Sequence, residues 1–173
     1  MAKSSFLLSF ALAALLSGGC AKEENKPAGD TAAPVATRAA TAPNTLPRTV
    51  SMQIGADTFH LEIAANDHDR QQGLMYRESM ALDHGMIFVF GNDREREFYM
   101  KNTLIPLDIV YINAAGRVVS IKHGVPLQEE PTIPSDAPMK WAIELNDGVA
   151  AAAGLKVGNK LEIPAGARNP EDN

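Results

Sequence analysis

The chain has 173 residues, 45% of them hydrophobic, and its 21 acidic and 16 basic side chains give a formal net charge of -5 at pH 7. This composition is typical of a globular domain and excludes a chain that is disordered throughout. An acidic domain has no electrostatic basis for holding nucleic acid, so we expect no nucleic-acid partner.

The first 20 residues predict export. Lys3 precedes an apolar run from Phe6 to Leu16, and Leu16-Ser-Gly-Gly-Cys20 resembles the cleavage box of a bacterial lipoprotein signal. The run is about half as long as the roughly 20 apolar residues that span a bilayer, which favours a signal peptide over residues 1–19. The alternative is an ordinary secretory signal that is cut at another small residue.

Cleavage at the box would make Cys20 the first residue and the attachment point for acyl chains such as palmitate. Two or more chains hold a protein stably on a membrane, so we expect a lipid anchor on the periplasmic side. Ala21 follows in place of an aspartate, and by resemblance to the sorting rule of cells with two membranes this favours the outer membrane.

The remainder of the chain holds no second cysteine. Once Cys20 carries lipid, thiol catalysis, disulfide exchange and cysteine-ligated zinc are excluded. Residues 20–48 are rich in alanine, threonine and proline, which predicts a disordered tether after the lipidated residue. We expect a single globular domain over residues 49–164 and a disordered tail over 165–173.

Hydrophobic periodicity predicts the first elements of this domain. Two runs of period-two alternation, Val50–Ile54 and Phe59–Ile63, surround a glycine turn and predict a hairpin. Asn66 is a predicted helix N-cap, and the body of that helix is expected at residues 71–76. An unbroken apolar run at residues 86–90 is typical of a strand buried on both faces.

Similar patterns in the second half of the chain predict further strands, at residues 97–101, 109–112, 118–121, 139–145 and 161–163. The strand at 139–145 alternates, so we expect it to be half-buried, and a proline-rich loop fills 124–138. Asp147 is expected to cap a short alanine-rich helix that ends at Gly154. The class is therefore α+β: a mostly antiparallel sheet or partly closed barrel of short strands with two short helices.

Six sequence motifs point to one protein family. They are Gly73-Leu-Met-Tyr-Arg77, His84-Gly-Met-Ile-Phe-Val-Phe90, Phe98-Tyr-Met-Lys-Asn-Thr-Leu-Ile-Pro-Leu-Asp108, Gly116-Arg-Val-Val-Ser-Ile121, Trp141-Ala-Ile-Glu-Leu145 and Gly154-Leu-Lys-Val-Gly158. They resemble the motifs of domain of unknown function family 192, found in bacteria and archaea, over residues 57–164. Tyr99 stands where the family usually has Trp, and Asn159 where it usually has Asp. The resemblance implies a fold and, often, export, but no activity or catalytic residue.

Polar side chains at the end of the strand predicted at 97–101 form the main candidate site. Lys101, Asn102 and Thr103 emerge where the alternation stops, and such positions are well placed to contact a ligand. Asp108 and Arg77 complete the set of ligand-binding candidates. The alternative is a structural turn, in which Asn102 and Thr103 satisfy loop backbone groups and Lys101 pairs with Asp108 or Glu97.

Methionines form a weaker candidate site. Thioether ligands suit Cu(I), and Met75, Met86 and Met100 are the candidates, with Met80 and His84 near them in sequence. The alternative is core packing, since methionine fills irregular cores. No other metal and no cofactor is predicted.

Three hypotheses for the function follow. The first is a membrane-tethered envelope module without catalysis that binds a small ligand or a partner protein. The second is an unfamiliar envelope hydrolase with Asp108 as acid or base, Lys101 and Arg77 as anion-holding groups and Asn102 as a donor. The third is Cu(I) capture by the methionines. No familiar catalytic motif occurs in the chain, which favours binding over catalysis.

Overall fold

The computed structural model describes residues 48–125 and 131–169. The predicted signal peptide, Cys20 and nearly all of the predicted tether lie outside the described residues. Within the described ranges, no helix has the length and apolar character needed to cross a membrane.

The domain is built on a mixed sheet with two short helices. In chain order the elements are β1 (Thr49–Ile54), β2 (Asp57–Ala64), α1 (Asp67–Gln72), β3 (His84–Arg94), β4 (Glu97–Phe98), β5 (Leu107–Ile112), β6 (Val118–Val125), β7 (Ile133–Pro134), β8 (Met139–Asn146) and α2 (Val149–Ala152), followed by a 3-10 turn (Ala165–Ala167). The expected α+β class is confirmed.

Six of the strands form the main sheet, in the spatial order β1-β2-β3-β8-β5-β6. β2 and β3 are parallel, and every other neighbouring pair is antiparallel. Strands β4 and β7 pair in a separate two-stranded sheet. Because β1 and β6 lie at opposite ends of the order, the main sheet is open and does not close into a barrel.

Both faces of the main sheet are covered by apolar side chains. The first face carries residues such as Met52, Leu61 and Ile143, which pack with α2 and the chain after it. The second face carries Phe88 and Ile109, which pack beneath the loop between α1 and β3 and beneath β4 with the segment that leads to β5. Because successive strand residues point to opposite faces, each strand between the edges contributes to both clusters.

Helix α1 begins as predicted and ends early. Asn66 caps it, since its side-chain oxygen accepts a hydrogen bond from the backbone N–H of Asp69 at 2.9 Å. The predicted body at residues 71–76 is wrong, because Gly73 adopts a φ of 47° and terminates the helix after Gln72.

The cap of helix α2 is not the predicted one. The N-cap position is Gly148, which has no side-chain hydrogen bond, so the expectation that Asp147 caps this helix is wrong. The side chain of Asp108 in β5 instead accepts from the backbone N–H of Ala150 at 2.8 Å. Sequence patterns could not show this cap, since it lies 42 positions from the group that it satisfies.

Four further segments differ from expectation. The strand at 97–101 is only two residues long, and the proline-rich loop contains β7. In place of a last strand at 161–163, a single bridge joins Lys160 to Arg117. The first part of the predicted tail packs on the domain: the carbonyl of the buried Ala167 accepts from the Trp141 indole N–H at 2.8 Å, and Asn169 accepts from the Lys140 ammonium at 3.1 Å.

Candidate functional site

A cavity of about 220 Å³ lies on the second face of the sheet. Helix α1 and the turn after it form one side, and strands β3 and β4 form the other. Three phenylalanines, Phe88, Phe90 and Phe98, supply aromatic walls, and Thr103 and Glu144 add polar groups. Ligand sites are typically concave, mostly apolar and supplied with a few polar groups, as this cavity is.

Glu144 is the chemically unusual residue of the cavity. It lies in β8 between Ile143 and Leu145, which belong to the first face, so its side chain points to the second. Only 6% of its surface is exposed, and within the described ranges its carboxyl group has no hydrogen-bond or ion-pair partner. Burial raises the pKa of Glu144 to about 8, because an unpaired charge is disfavoured away from water. Most of the population is therefore protonated at neutral pH.

The missing partner has a structural explanation. Glu62 and Lys122 lie in the same cross-strand row as Glu144. Glu62 accepts two hydrogen bonds from the guanidinium of Arg77, at 2.7 and 2.9 Å, and Lys122 pairs with Asp136. Lys122 in this row and Arg77 beside it are therefore already neutralised, and neither compensates Glu144.

Aromatic rings hold the cavity wall in place. Phe98 meets Phe88 edge to face at 5.1 Å between ring centroids, and it meets Tyr111 in the same way at 5.4 Å. The Tyr111 hydroxyl donates to the carbonyl of Ile133 at 2.9 Å. Burial, with a smaller contribution from Glu144, raises the pKa of Tyr111, so this hydroxyl stays neutral.

Two residues with left-handed backbone stand beside the cavity. Tyr76 and Asn102 have φ values of 61° and 54°, which cost about 1 kcal/mol each in residues that carry a Cβ. The Tyr76 N–H donates to the Asn102 carbonyl, and the Asn102 amide donates to the Tyr76 hydroxyl, both at 2.8 Å. Since their neighbours Met75 and Thr103 line the cavity, this paired geometry fixes part of its wall.

The structure brings together only part of the candidate site predicted at the end of β4. Thr103 is 7% exposed, lines the cavity and donates to the carbonyl of Lys101 at 3.4 Å. Asn102 lies beside it, while the Lys101 side chain is exposed. Arg77 is on the second face and is engaged by Glu62.

Asp108 lies apart from these residues. It is fully buried and caps α2 on the first face of the sheet, whereas the Arg77 and Glu62 pair lies on the second. The hydrolase hypothesis required Asp108 and Arg77 in one concavity, and the sheet separates them. The turn interpretation agrees better with Thr103, which bonds a loop carbonyl.

The methionines are divided between the core and the cavity. Met86 and Met100 are buried in the second-face cluster, and Met75 lines the cavity. His84 pairs with Asp83 at 2.8 Å, outside the cavity. Over residues 48–125 and 131–169, no three His, Cys, Asp or Glu side chains are grouped to hold a metal ion.

Glu144 is not among the site residues predicted from the sequence, because its alternation with Ile143 and Leu145 predicts a solvated face. The structure covers that face with the loop between α1 and β3 and with β4 and the segment that leads to β5. One signal was available: Glu144 lies within the Trp141–Leu145 motif, and the cavity is lined by residues from three of the other motif segments that indicated the family.

Comparison with known proteins gives a family and two structural relatives. A profile of the family DUF192, described as "Uncharacterized ACR", matches residues 49–163. A crystal structure of a proposed transcription regulator from Sinorhizobium meliloti 1021 is 36% identical, with a TM-score of 0.61, over 66% of this chain and 91% of that one. A protein of unknown function from Novosphingobium aromaticivorans DSM 12444 is 31% identical, with a TM-score of 0.59, over 66% of this chain and 84% of that one. No curated protein matches the chain.

Proposed function

The chain belongs to DUF192, a family described as uncharacterised, and we propose that its domain is a binding module for a small ligand in the cavity beside Glu144. The observation that carries this proposal is a carboxyl group, 6% exposed, that has no partner within the described ranges and borders an open cavity. A buried polar group without a partner is costly, and a ligand that pairs with it recovers that cost. Groups with a strongly perturbed pKa in a cleft are common at functional sites.

We favour binding over catalysis because the other carboxyl groups of the cavity already have partners. A protonated carboxylic acid can serve as a general acid, but hydrolysis also needs a base or a nucleophile. Asp67 is held by Arg70 at 2.6 Å, and Glu97 accepts from the Thr132 hydroxyl at 3.0 Å. Both have structural partners, which leaves Glu144 as the carboxyl group of the described lining that is available to a ligand.

The description of the Sinorhizobium meliloti protein suggests a role in transcription. The charge of this chain does not support direct contact with nucleic acid, since 21 acidic side chains outnumber 16 basic ones. A small-ligand site is compatible with a regulatory role, and it is the simpler proposal for this chain.

The module would work at the envelope. The apolar run before Cys20 and the small residues of its cleavage box support a lipid anchor, and the composition of residues 20–48 supports a flexible tether. As a coil of about 28 residues, the tether would span roughly 30 Å and keep the cavity clear of the lipid headgroups.

Methionine-methyl NMR tests the cavity directly. The domain, labelled at its methionine methyl groups, is titrated with three one-ring probes that differ in charge: benzyl alcohol, benzoate and benzylamine. We expect at least one probe to shift the methyl signal of Met75, which lines the cavity, and to leave Met52, in the first-face core, unchanged.

Two variants control this test. Glu144→Leu replaces the buried acid by an apolar side chain of similar size, which should preserve the fold and weaken the binding of the responding probe. Glu162→Gln removes a carboxylate from the exposed surface and should bind like wild type. If none of the three probes shifts Met75 at millimolar concentration, the proposed binding site is wrong.

A further inference from the structure

We propose that the ligand of this cavity carries an ammonium group, held between the carboxylate of Glu144 and the faces of the phenylalanine walls. This inference rests on the proposed function and names the chemical class of the ligand. The partner that Glu144 lacks is a cation, because Lys122 in its cross-strand row and Arg77, which contacts that row through Glu62, are already paired with carboxylates.

The walls of the cavity suit a cation. The faces of aromatic rings carry partial negative charge and attract ammonium and guanidinium groups. Phe90 already shows this behaviour, since the guanidinium carbons of Arg70 and Arg96 lie 5.2 and 4.0 Å from its ring centroid. Phe88 and Phe98 line the same cavity, and neither has a cation stacked on it within the described ranges.

The charged residues that line the cavity also favour a cationic ligand. Three acidic residues, Asp67, Glu97 and Glu144, contribute to the lining, against one basic residue, Arg70. Arg70 is itself held by Asp67 and by the carbonyl of Val89, at 2.9 Å. With Glu144 ionised, the lining has a net negative charge, which would oppose an anionic ligand.

The size of the cavity limits the ligand. An apolar cavity of about 150 Å³ holds benzene, so a cavity of about 220 Å³ accommodates one ring or a branched alkyl group with a short polar arm. We therefore infer a small aralkyl or alkyl ammonium compound.

Binding of such a ligand must be coupled to the release of a proton. Burial raises the pKa of the free Glu144 carboxyl to about 8, so at lower pH the group loses its proton when it pairs with the ammonium. Affinity should rise roughly tenfold per pH unit below about pH 8 and level off above it. The charged and titratable groups that face Glu144 from the surrounding elements are Glu62 with Arg77, Asp67 with Arg70, Glu97, Tyr111, and Lys122 with Asp136.

The test compares benzylamine with benzyl alcohol, which has the same shape and no charge. Titrations at about pH 6 and pH 8 follow the Met75 methyl signal of wild type and of Glu144→Gln, which keeps the size of the side chain and cannot ionise. We expect benzylamine to bind wild type more tightly than benzyl alcohol at pH 8, with an affinity at least tenfold higher than at pH 6. In Glu144→Gln, this preference and this pH dependence should both be lost.

Three results would overturn the inference in distinguishable ways. If benzyl alcohol shifts Met75 and benzylamine binds no better at pH 8, the ammonium assignment fails and the binding site stands. If neither these probes nor benzoate shifts Met75, the site itself fails. A preference for benzylamine that persists in Glu144→Gln would also overturn the role given to this residue.

A last comparison identifies the source of the ammonium group. Free ethanolamine and vesicles containing phosphatidylethanolamine compete with benzylamine, and vesicles of phosphatidylcholine alone serve as the control. Competition by free ethanolamine alone supports a soluble amine, whereas competition by the phosphatidylethanolamine vesicles supports a lipid headgroup. If neither competes while benzylamine still binds through Glu144, both ethanolamine sources are excluded, and the result supports an ammonium ligand that also carries the ring or branched alkyl group that fills the cavity.

Discussion

At the scale of single residues, two buried carboxyl groups in neighbouring strands have opposite surroundings. Asp108 in β5 is fully buried and accepts a hydrogen bond from the backbone of α2. Glu144 in β8 is nearly as buried and has no such donor within the described ranges. The first carboxyl group is therefore part of the framework, and the second is the candidate for function.

The raised pKa of Glu144 predicts how the stability of the domain depends on pH. The folded state holds a proton on this group up to about pH 8, whereas an unfolded glutamate releases it near pH 4.5. The protonated Glu144 therefore contributes fully to the free energy of unfolding below the pKa of the unfolded state. This contribution is lost as the pH rises through the pKa of the folded state. Urea unfolding should show that wild type loses a few kcal/mol more stability than Glu144→Gln between about pH 5 and pH 8.

The exposed-surface variant Glu162→Gln should keep the wild-type pH dependence, which separates burial from a general change in charge. If the free energy of unfolding changes with pH equally in wild type and in Glu144→Gln, Glu144 ionises normally in the folded state.

For Asp108 we predict the opposite: its replacement should lower stability and leave ligand binding intact. Asp108→Ala removes the acceptor of the Ala150 N–H, and a buried donor left unsatisfied costs about 2 kcal/mol in the free energy of unfolding. Asp108→Asn keeps an oxygen at this position and should cost less. In both variants the probe that shifts Met75 in wild type should still bind, because Asp108 lies on the other face of the sheet. If a folded Asp108→Asn variant no longer binds the probe, Asp108 is part of the binding site.

At the scale of elements, β3 and β8 must lie close together to present Glu144 to the cavity. Gly85 in β3 permits this approach, since a Cβ there would lie 2.4 Å from the backbone oxygen of Glu144 and 2.8 Å from Cδ2 of Leu145. Gly91, near the far end of the same strand, has no atom within 4 Å of the corresponding position. The two glycines therefore form a matched pair.

Gly85→Ala should destabilise the domain by about 3 kcal/mol, because a methyl group overpacks the contact between β3 and β8. Gly91→Ala should change stability by less than about 0.5 kcal/mol. Thermal or urea unfolding of the two variants measures the difference, and similar values for both would contradict the close packing at Gly85.

At the scale of the whole molecule, the domain should fold without the N-terminal segment. Strand β1 begins at Thr49, and the carbonyl of Arg48 accepts from the N–H of Ile63 at 2.8 Å. β1 also buries Met52 and Ile54 in the first-face core. The domain boundary is therefore expected just before Arg48.

A chain of residues 48–169 should unfold cooperatively in urea, with one transition by both fluorescence and circular dichroism. A chain that begins at Asp57 lacks β1 and should not fold, because the core loses two fully buried side chains and exposes the edge of β2. A cooperative transition in the shorter chain would show that β1 is dispensable.

The lipid anchor is also tested on the whole molecule. Wild-type protein from membranes should carry lipid at Cys20 and partition into the detergent phase, and Cys20→Ser should carry none, since only the thiol forms the thioether. The intact-protein mass of both forms gives the measurement. Wild type that is cleaved and free of lipid would identify an ordinary secreted protein.

Several features follow from the sequence by itself, because they depend on local patterns. Alternation placed the first hairpin and β8, and Asn66 was correctly predicted as a helix cap. The motifs indicated the family, and its profile matches residues 49–163. Thr103 was among the predicted ligand candidates, and the structure places it in the cavity wall.

Tertiary structure alone decided the chemistry of the site. Periodicity divides a strand into two faces but does not show what covers each of them, so Glu144 resembles a solvated residue until the segment before β5 packs over it. The same limit applies to Asp108, whose partner lies 42 positions away in α2. Burial and pairing are set by contacts between distant segments, and these contacts determine whether a carboxyl group supports the fold or remains available to a ligand.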